Sequence, residues 1–280
     1  MPLAQFPAYR QYEQLRRSVN DSVMGLFAGA GLASHLLHPM VKAAVPLSLI
    51  YPDVEEISRF DLSIEEARAI LDDAGPHIAN MALPYLMSLH EDYMGSCLAL
   101  LVRDGLITAR SVSRSAASRM HEDFEQAIGS PLPAGSLQQF HVLREMRNCL
   151  IHRGGVIDER LVVAASACSR GAIAGWRKVA ENSPRALKPG DSLRIGTDEL
   201  VLGFAVSKLL ARAVNELLIG GLTRDTWVDI ILEDMNEFGP GIPANIDERT
   251  RKVIGYARHN YPGVGATPDE LREGLTRMGY

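Results

Sequence analysis

Cysteine is scarce in this chain of 280 residues, which has only Cys97, Cys149 and Cys168, far apart in the sequence. An odd number of widely spaced cysteines does not make a disulfide framework and is typical of a reducing compartment. The sequence also has no Cys-x-x-Cys pair and no Cys/His cluster with the spacing of a zinc site. We therefore expect a cytoplasmic protein that depends on neither disulfides nor structural zinc.

An excess of positive charge is also missing. The formal net charge is −5 at pH 7, and this balance excludes a surface that binds nucleic acid through massed positive charge. Any contact with RNA or DNA must therefore be local. The sequence has no internal repeat and no low-complexity tract either, which excludes a repeat architecture.

No apolar run reaches the length of a membrane span. The longest candidate, Val23–Leu37, follows Arg16 and Arg17 and so faintly resembles a signal peptide. However, Glu13 and Asp21 lie beside it, and it is shorter than the roughly 20 residues needed to cross a bilayer. We expect a buried helix here and no membrane association.

Apolar residues recur at helical spacing along most of the chain, and this periodicity predicts an all-α fold. The predicted helices cover residues 9–27, 63–71, 77–103, 110–128, 136–153, 198–219 and a final segment that begins at Thr267. Three of them open with a capping box, in which a Ser or Thr is followed three residues later by Glu or Gln. These boxes are Ser63 with Glu66, Ser136 with Gln139, and Thr267 with Glu270. The only expected strand is a short one at residues 192–195.

The stretch EMRNCLIHRGGVID, residues 145–158, combines several functional side chains at a helix end. Arg147, Asn148 and His152 occupy its last turns, and Gly154 with Gly155 supplies a left-handed exit. A regular helix turns Arg147 and His152 about 140° apart. Their side chains would not touch each other. They are better placed as two walls of a groove, facing a ligand or a second copy of the same helix.

A structural interpretation of these residues is also open. His152 would then be a C-terminal capping histidine, and Arg147 a surface residue paired with Glu145 or Asp123. Cys149, inside the same stretch, is interpreted as a small buried apolar residue. His90 and Glu91 are interpreted as residues on a helix face.

His35 and His38 are interpreted as packed or loop histidines, because no third ligand stands at metal spacing from them.

The order Arg147-Asn148, three residues, His152, then Gly154-Gly155, resembles the signature of HEPN domains, which are helical bundles with an Arg-x4–6-His motif. The resemblance covers roughly residues 77–220 and implies a HEPN-like antiparallel helical bundle. We accordingly divide the chain into an N-terminal helical extension (1–60), the bundle (61–220) and a C-terminal helical segment (221–280).

In active members the resemblance implies a metal-independent endoribonuclease without a cofactor. His152 would be the general acid or base for the ribose 2′-hydroxyl and the leaving oxygen, which suits a side chain that titrates near neutral pH. Arg147 would bind the scissile phosphate through its planar fork. Asn148 would orient the neighbouring groups, and Glu91 or Asp92 would supply a polar partner.

The resemblance also implies partners. We expect RNA as substrate, with Arg144, Arg153 and Glu91 as candidate substrate-binding residues, and a homodimer whose two motifs form one cleft. Arg160, Arg110 and Arg114 would extend the local positive field. A toxin or antiviral-defence effector of this kind needs an antitoxin or other regulatory partner. The alternative is a catalytically inactive HEPN-fold module that binds a nucleotide or a protein.

Overall fold

The computed structural model describes residues 2–39, 45–60, 62–114, 118–180 and 187–280. In these ranges the structure is all-α, as predicted, and pairing of the β type is limited to two isolated bridges, Pro46–Ser63 and Val156–Ser192. The segment 192–195 therefore contributes one bridge instead of a strand. The helices are α1 (Pro7–Leu37), α2 (Leu47–Ile50), α3 (Ile57–Phe60), α4 (Ile64–Asp72), α5 (Ala74–Arg103), α6 (Ala109–Arg114), α7 (Met120–Ile128), α8 (Ala134–Arg153), α9 (Glu159–Ser166), α10 (Arg170–Val179), α11 (Thr197–Gly221), α12 (Arg224–Glu237), α13 (Ile246–Asn260) and α14 (Pro268–Arg277).

Helix α5 is the centre of the bundle, with α1, α11, α7 and α8 packed around it. Its apolar side chains are buried on nearly every side, as in Leu83, Met94 and Leu98. Gly203 lets α11 approach α5 closely, because a Cβ at this position would lie only 3.0 Å from Cδ1 of Leu83 and 3.2 Å from Cδ2 of Leu86. This packing fixes the direction of α5, which carries Glu91.

A continuous core joins the three segments into which the sequence was divided. Phe6 from the first segment and Trp227 from the last have ring centroids 6.0 Å apart. The backbone of Ala4 exchanges two hydrogen bonds with the buried side chain of Asn215 on α11, at 3.0 and 2.8 Å. The chain on both sides of the predicted bundle is therefore packed against it.

Asp234 on α12 ties the N-terminal helix to the C-terminal segment. Its buried carboxylate accepts two hydrogen bonds from the guanidinium of Arg10 on α1, at 2.8 and 2.5 Å. The hydroxyls of Tyr256 and Tyr261 also donate to it, at 2.8 and 2.6 Å. Burial raises the pKa of this carboxyl, but the donors outweigh it and hold the pKa below its ordinary value.

The apolar run Val23–Leu37 forms the second half of α1, and the prediction that it is buried is wrong. Val23 and Leu37 are buried, whereas Met24, Leu26, Leu32 and Leu36 are 60, 56, 67 and 61% exposed. The reason is that α1 is 31 residues long and only one of its sides lies against α4 and α5. None of the helices in the described ranges combines the length and the apolarity needed to cross a bilayer.

Two of the three predicted capping boxes are present, at Ser63 and at Thr267. The third is absent, because α8 begins at Ala134 after Pro133 and not at Ser136. The side chain of Gln139 instead donates to the carbonyl of Ala172, 2.7 Å away.

The single helix predicted for residues 110–128 is replaced by α6 and α7. The connection between them at residues 115–117 lies outside the described residues.

Candidate functional site at the end of helix α8

Helix α8 carries the motif and remains helical through all of it. The helix runs to Arg153 and ends at Gly154 and Gly155, whose φ angles of 60° and 80° are left-handed. The predicted exit is therefore confirmed. Because the helix is continuous, Arg147 and His152 are about 140° apart around its axis and about 7.5 Å apart along it.

Arg147 is held by two neighbours. Its Nη2 lies 3.5 Å from Oε2 of Glu91 on α5, and its Nη1 donates to Oδ1 of Asn148 at 3.2 Å. The side chains of Arg147 and Glu91 are only 21% and 16% exposed, so their attraction is less screened than that of a surface pair. Of the two acidic residues considered as partners, Glu91 makes the contact, and Asp92 is exposed.

The polar contacts continue along α8. Asn148 Nδ2 donates to Oε2 of Glu145 at 3.2 Å, and the guanidinium of Arg144 donates to Oε1 of Glu145 at 3.1 Å. Arg144 also donates to the backbone carbonyl of Ser118, 3.1 Å away. The result is a continuous polar chain, Glu91–Arg147–Asn148–Glu145–Arg144, in which Glu145 partly neutralises Arg144 and makes it less able to extend a positive field.

The carboxylate of Glu91 is only partly stabilised by its neighbours. Its Oε1 is buried and has no hydrogen-bond donor among the described residues. Burial raises the pKa of the Glu91 carboxyl, and the nearby cations Arg147 and Arg144 act in the opposite direction. Arg147 therefore stabilises the charged form of this carboxylate, and the carboxylate in turn orients the guanidinium of Arg147.

His152 and Arg153 stand apart from this network, on the exposed last turn of α8. Within the described chain, His152 makes no hydrogen bond to a helix carbonyl, so the capping interpretation finds no contact to support it. The last turn is instead closed by the backbone amide of Gly155, which donates to the carbonyl of Cys149 at 3.0 Å. Two large apolar side chains lie exposed in the sequence near His152, Ile151 at 57% and Val156 at 45%.

The remaining predicted cations are dispersed. Arg160 is exposed on α9, and Arg110 lies near the start of α6. The side chain of Arg114 lies outside the described residues. The structure thus brings together Arg147, Asn148, Glu91 and Arg144, and it leaves His152 and Arg153 free to meet something outside the chain.

A buried cluster of histidines was missed by sequence reasoning. His90 on α5 and His121 on α7 place their Nε2 atoms 3.0 Å apart, and the ring of His141 on α8 lies 6.1 Å from that of His121. Burial lowers the pKa of His90 to about 3 and that of His121 to about 2. The three residues come from three helices, so no spacing in the sequence predicted their contact. The interpretation of His90 as a helix-face residue is corrected accordingly.

Cys149 is confirmed as a buried residue. Its Sγ lies 3.7 Å from Oδ1 of Asp158, and burial raises the pKa of the thiol. In the described ranges, no group of three or more His, Cys, Asp or Glu residues is arranged to hold a metal ion.

No protein-family model, no curated protein and no solved structure matches this chain. Inference about function therefore depends on the chemistry of residues 144–153 and Glu91. Those residues supply a guanidinium in a fixed orientation and, on another side of the same helix end, an exposed imidazole.

Proposed function

We propose that this chain is a metal-independent endoribonuclease of the HEPN type, acting in the cytoplasm as a toxin or antiviral-defence effector. One observation carries the proposal. Arg147 is fixed by Glu91 and Asn148, while His152 is exposed and unpaired among the described residues at the end of the same helix. RNA cleavage by the 2′-hydroxyl needs these two groups, a cation in a fixed position that binds the phosphate and an accessible general acid or base.

Arg147 binds the scissile phosphate in this mechanism. A guanidinium keeps its charge at all relevant pH values and presents paired N–H groups that match two phosphate oxygens. Its contacts with Glu91 and Asn148 limit the rotamers of a long side chain, which lowers the entropic cost of binding. Asn148 is thus a positioning residue, as is Glu91.

His152 acts on the protons. Its neutral imidazole removes the proton from the ribose 2′-hydroxyl, and the resulting oxygen attacks the phosphorus. The bond from phosphorus to the 5′ oxygen breaks, and that oxygen takes a proton from an imidazolium. The products are a 2′,3′-cyclic phosphate and a 5′-hydroxyl end.

Two copies of the chain form the cleft. Arg147 and His152 are about 140° apart on α8 and cannot easily close around one phosphate, but a two-fold contact would set each motif opposite its copy. The exposed side chains of Ile151 and Val156 near His152 offer apolar surface for such a contact. Base and acid would then come from different chains.

One observation favours the alternative, a HEPN-fold module that binds a nucleotide or protein without cleavage. Glu91 already occupies Arg147, and a phosphate must compete with this carboxylate. In the nuclease, an antitoxin or other regulatory partner would restrain the site, whereas in the module the partner would be the ligand itself.

The deciding experiment incubates purified protein with total RNA in EDTA. His152→Ala should lose on the order of 10²-fold to 10⁴-fold in cleavage with little change in melting temperature, because the side chain is exposed. His35→Ala, an exposed histidine on α1, is the matched control and should retain full activity. Cleavage by His152→Ala at the wild-type rate would exclude the proposed mechanism.

A further inference from the structure

A cavity of about 990 Å³ lies between α13 and α14, in the segment for which the sequence suggested no role. Four arginines line it: Arg249, Arg251, Arg258 and Arg272. None of the described residues lining it is acidic. In a chain with a net charge of −5, four cations around one concave surface concentrate a positive potential that composition does not predict.

Arg251 and Arg258 lie on one side of α13. They are seven positions apart in the sequence, which places them about two turns and about 10.5 Å apart along the axis. Both are exposed, and neither has an ion-pair partner within 4 Å among the side chains that the structure describes, although the carboxylate of Glu248 interacts with Arg251 at longer range. Ile254 and Gly255 lie between them, and a Cβ at Gly255 would meet nothing within 4 Å. The helix surface between the two cations is therefore open to a ligand.

The other two arginines are held in place. Arg249 donates from Nε to the carbonyl of Pro243 and from Nη2 to that of Ala244, both at 2.7 Å. Arg272 at the first turns of α14 is paired with Asp269. Arg249 on α13 thus presents a guanidinium in a fixed position, whereas the charge of Arg272 on α14 is already partly neutralised.

Aromatic and apolar groups complete the lining. Tyr280 is 36% exposed, and Leu275 and Ile254 contribute apolar surface beside it. The cavity is larger than a single phosphate requires and falls at the upper end of the range for small-molecule sites. A lining that carries both an aromatic ring and exposed guanidinium groups suits a flat heterocycle joined to phosphates.

The geometry points to a binding site for a nucleotide that carries two or more phosphates. Arg251 and Arg258 bind the phosphates, Arg249 adds a fixed donor, and Tyr280 with Ile254 contacts the base. The site lies on helices other than α5 and α8, and it does not depend on the proposed ribonuclease activity.

Isothermal titration with ATP, inorganic triphosphate and a single-stranded RNA octamer tests the site. Arg251→Gln and Arg258→Gln should each weaken ATP binding by about tenfold or more, because each removes charge-assisted hydrogen bonds to phosphate. Lys252→Gln is the matched control. It removes the same charge from the same helix, but Lys252 pairs with Glu248 at 2.8 Å and does not line the cavity, so ATP affinity should change less than about twofold.

Tyr280→Ala separates the base contact from the phosphate contact. It should weaken ATP binding and leave the binding of inorganic triphosphate unchanged. The RNA titration uses the His152→Ala background, in which the proposed cleavage is suppressed, and gel electrophoresis of the octamer after the titration checks that it is intact.

Several outcomes would overturn the site. ATP binding that is absent at about 1 mM, or that falls equally in Lys252→Gln and Arg251→Gln, would exclude specific recognition by these arginines. Inorganic triphosphate that binds as tightly as ATP would exclude the base contact. RNA that binds more tightly than ATP and is lost in Arg251→Gln would replace the nucleotide by a nucleic-acid strand.

Discussion

Lowering the pH from 7 to 5 should cost the folded protein about 4 kcal/mol through His90 and His121 alone. Both rings are buried with their Nε2 atoms 3.0 Å apart, so the Nε2–H of one ring donates a hydrogen bond to Nε2 of the other, and a positive charge on either ring would be desolvated. Burial lowers both pKa values, to about 3 and about 2. In the unfolded chain a histidine titrates near 6.5.

The sign follows from this difference. Above pH 6.5 the two rings are neutral in both the folded and the unfolded chain, and their contribution to stability is fully present. This contribution is lost as the pH falls from 6.5 towards the pKa values of the folded protein. At pH 5 each histidine is almost fully protonated in the unfolded chain and remains neutral in the folded protein. This difference lowers the free energy of unfolding by about 2 kcal/mol for each ring.

The groups that face the two rings reinforce this effect. Tyr12, Tyr93 and Phe140 surround His90 with aromatic rings, and Arg144 further lowers the pKa of His121. His141 has a pKa that is lowered first by burial and then by Arg144, against the opposing charges of Glu122 and Glu145, so it adds to the loss.

Urea unfolding at pH 7 and at pH 5 measures the effect. The double variant His90→Leu/His121→Leu removes both partners at once and leaves no buried ring nitrogen unpaired between them. It should lose about 4 kcal/mol less than the wild type over this interval, while His35→Ala/His38→Ala should behave as the wild type. An equal loss in the wild type and the His90/His121 double variant would refute the reasoning.

Three further predictions concern the ion pairs and the motif. Asp234→Ala should lower the free energy of unfolding by about 2–4 kcal/mol, because the hydroxyls of Tyr256 and Tyr261 lose their acceptor and the partly exposed guanidinium of Arg10 loses its counter-ion. A loss below about 1 kcal/mol in urea unfolding would contradict the network. Arg147→Lys should not retain RNA cleavage, because an ammonium keeps the charge but loses the paired N–H groups that match two phosphate oxygens. Asn148→Ala should lower the cleavage rate less than either Arg147→Ala or His152→Ala. Unimpaired cleavage by the lysine variant would indicate that Arg147 supplies only local positive charge. Specific activity should fall on dilution below the dimer dissociation constant, and a monomer by light scattering at concentrations where RNA is still cut would rule out the composite cleft.

The helix starts show when local sequence is sufficient. The boxes at Ser63 and Thr267 form because both partners are three residues apart on one turn. Glu270 keeps its capping contact through one carboxylate oxygen while the other lies 3.4 Å from Nε of Arg224. At Ser136 the same pattern fails, because α8 already begins at Ala134, and the side chain of Gln139 donates to the carbonyl of Ala172 on α10 instead. A capping pattern therefore predicts the start of a helix only where the preceding residues do not already belong to that helix.

The second half of α1 shows the limit of composition. Its apolar residues predicted burial, and the helix was correctly expected, but no helix of the described chain covers its outer side. Hydrophobicity states what a segment would gain from burial, whereas the length and position of its neighbours decide whether burial occurs.

The sequence by itself determined the all-α class, through the 3.6-residue period, and the placement of Arg147 and His152 on different sides of one helix end, through their five-residue step. Only the tertiary structure decided that Glu91 meets Arg147, that His90 meets His121, and that four arginines surround one cavity. The physical reason is the range of the interactions. Periodicity and capping act within a few residues and are written in the spacing, but contacts between helices depend on how all the apolar faces pack together.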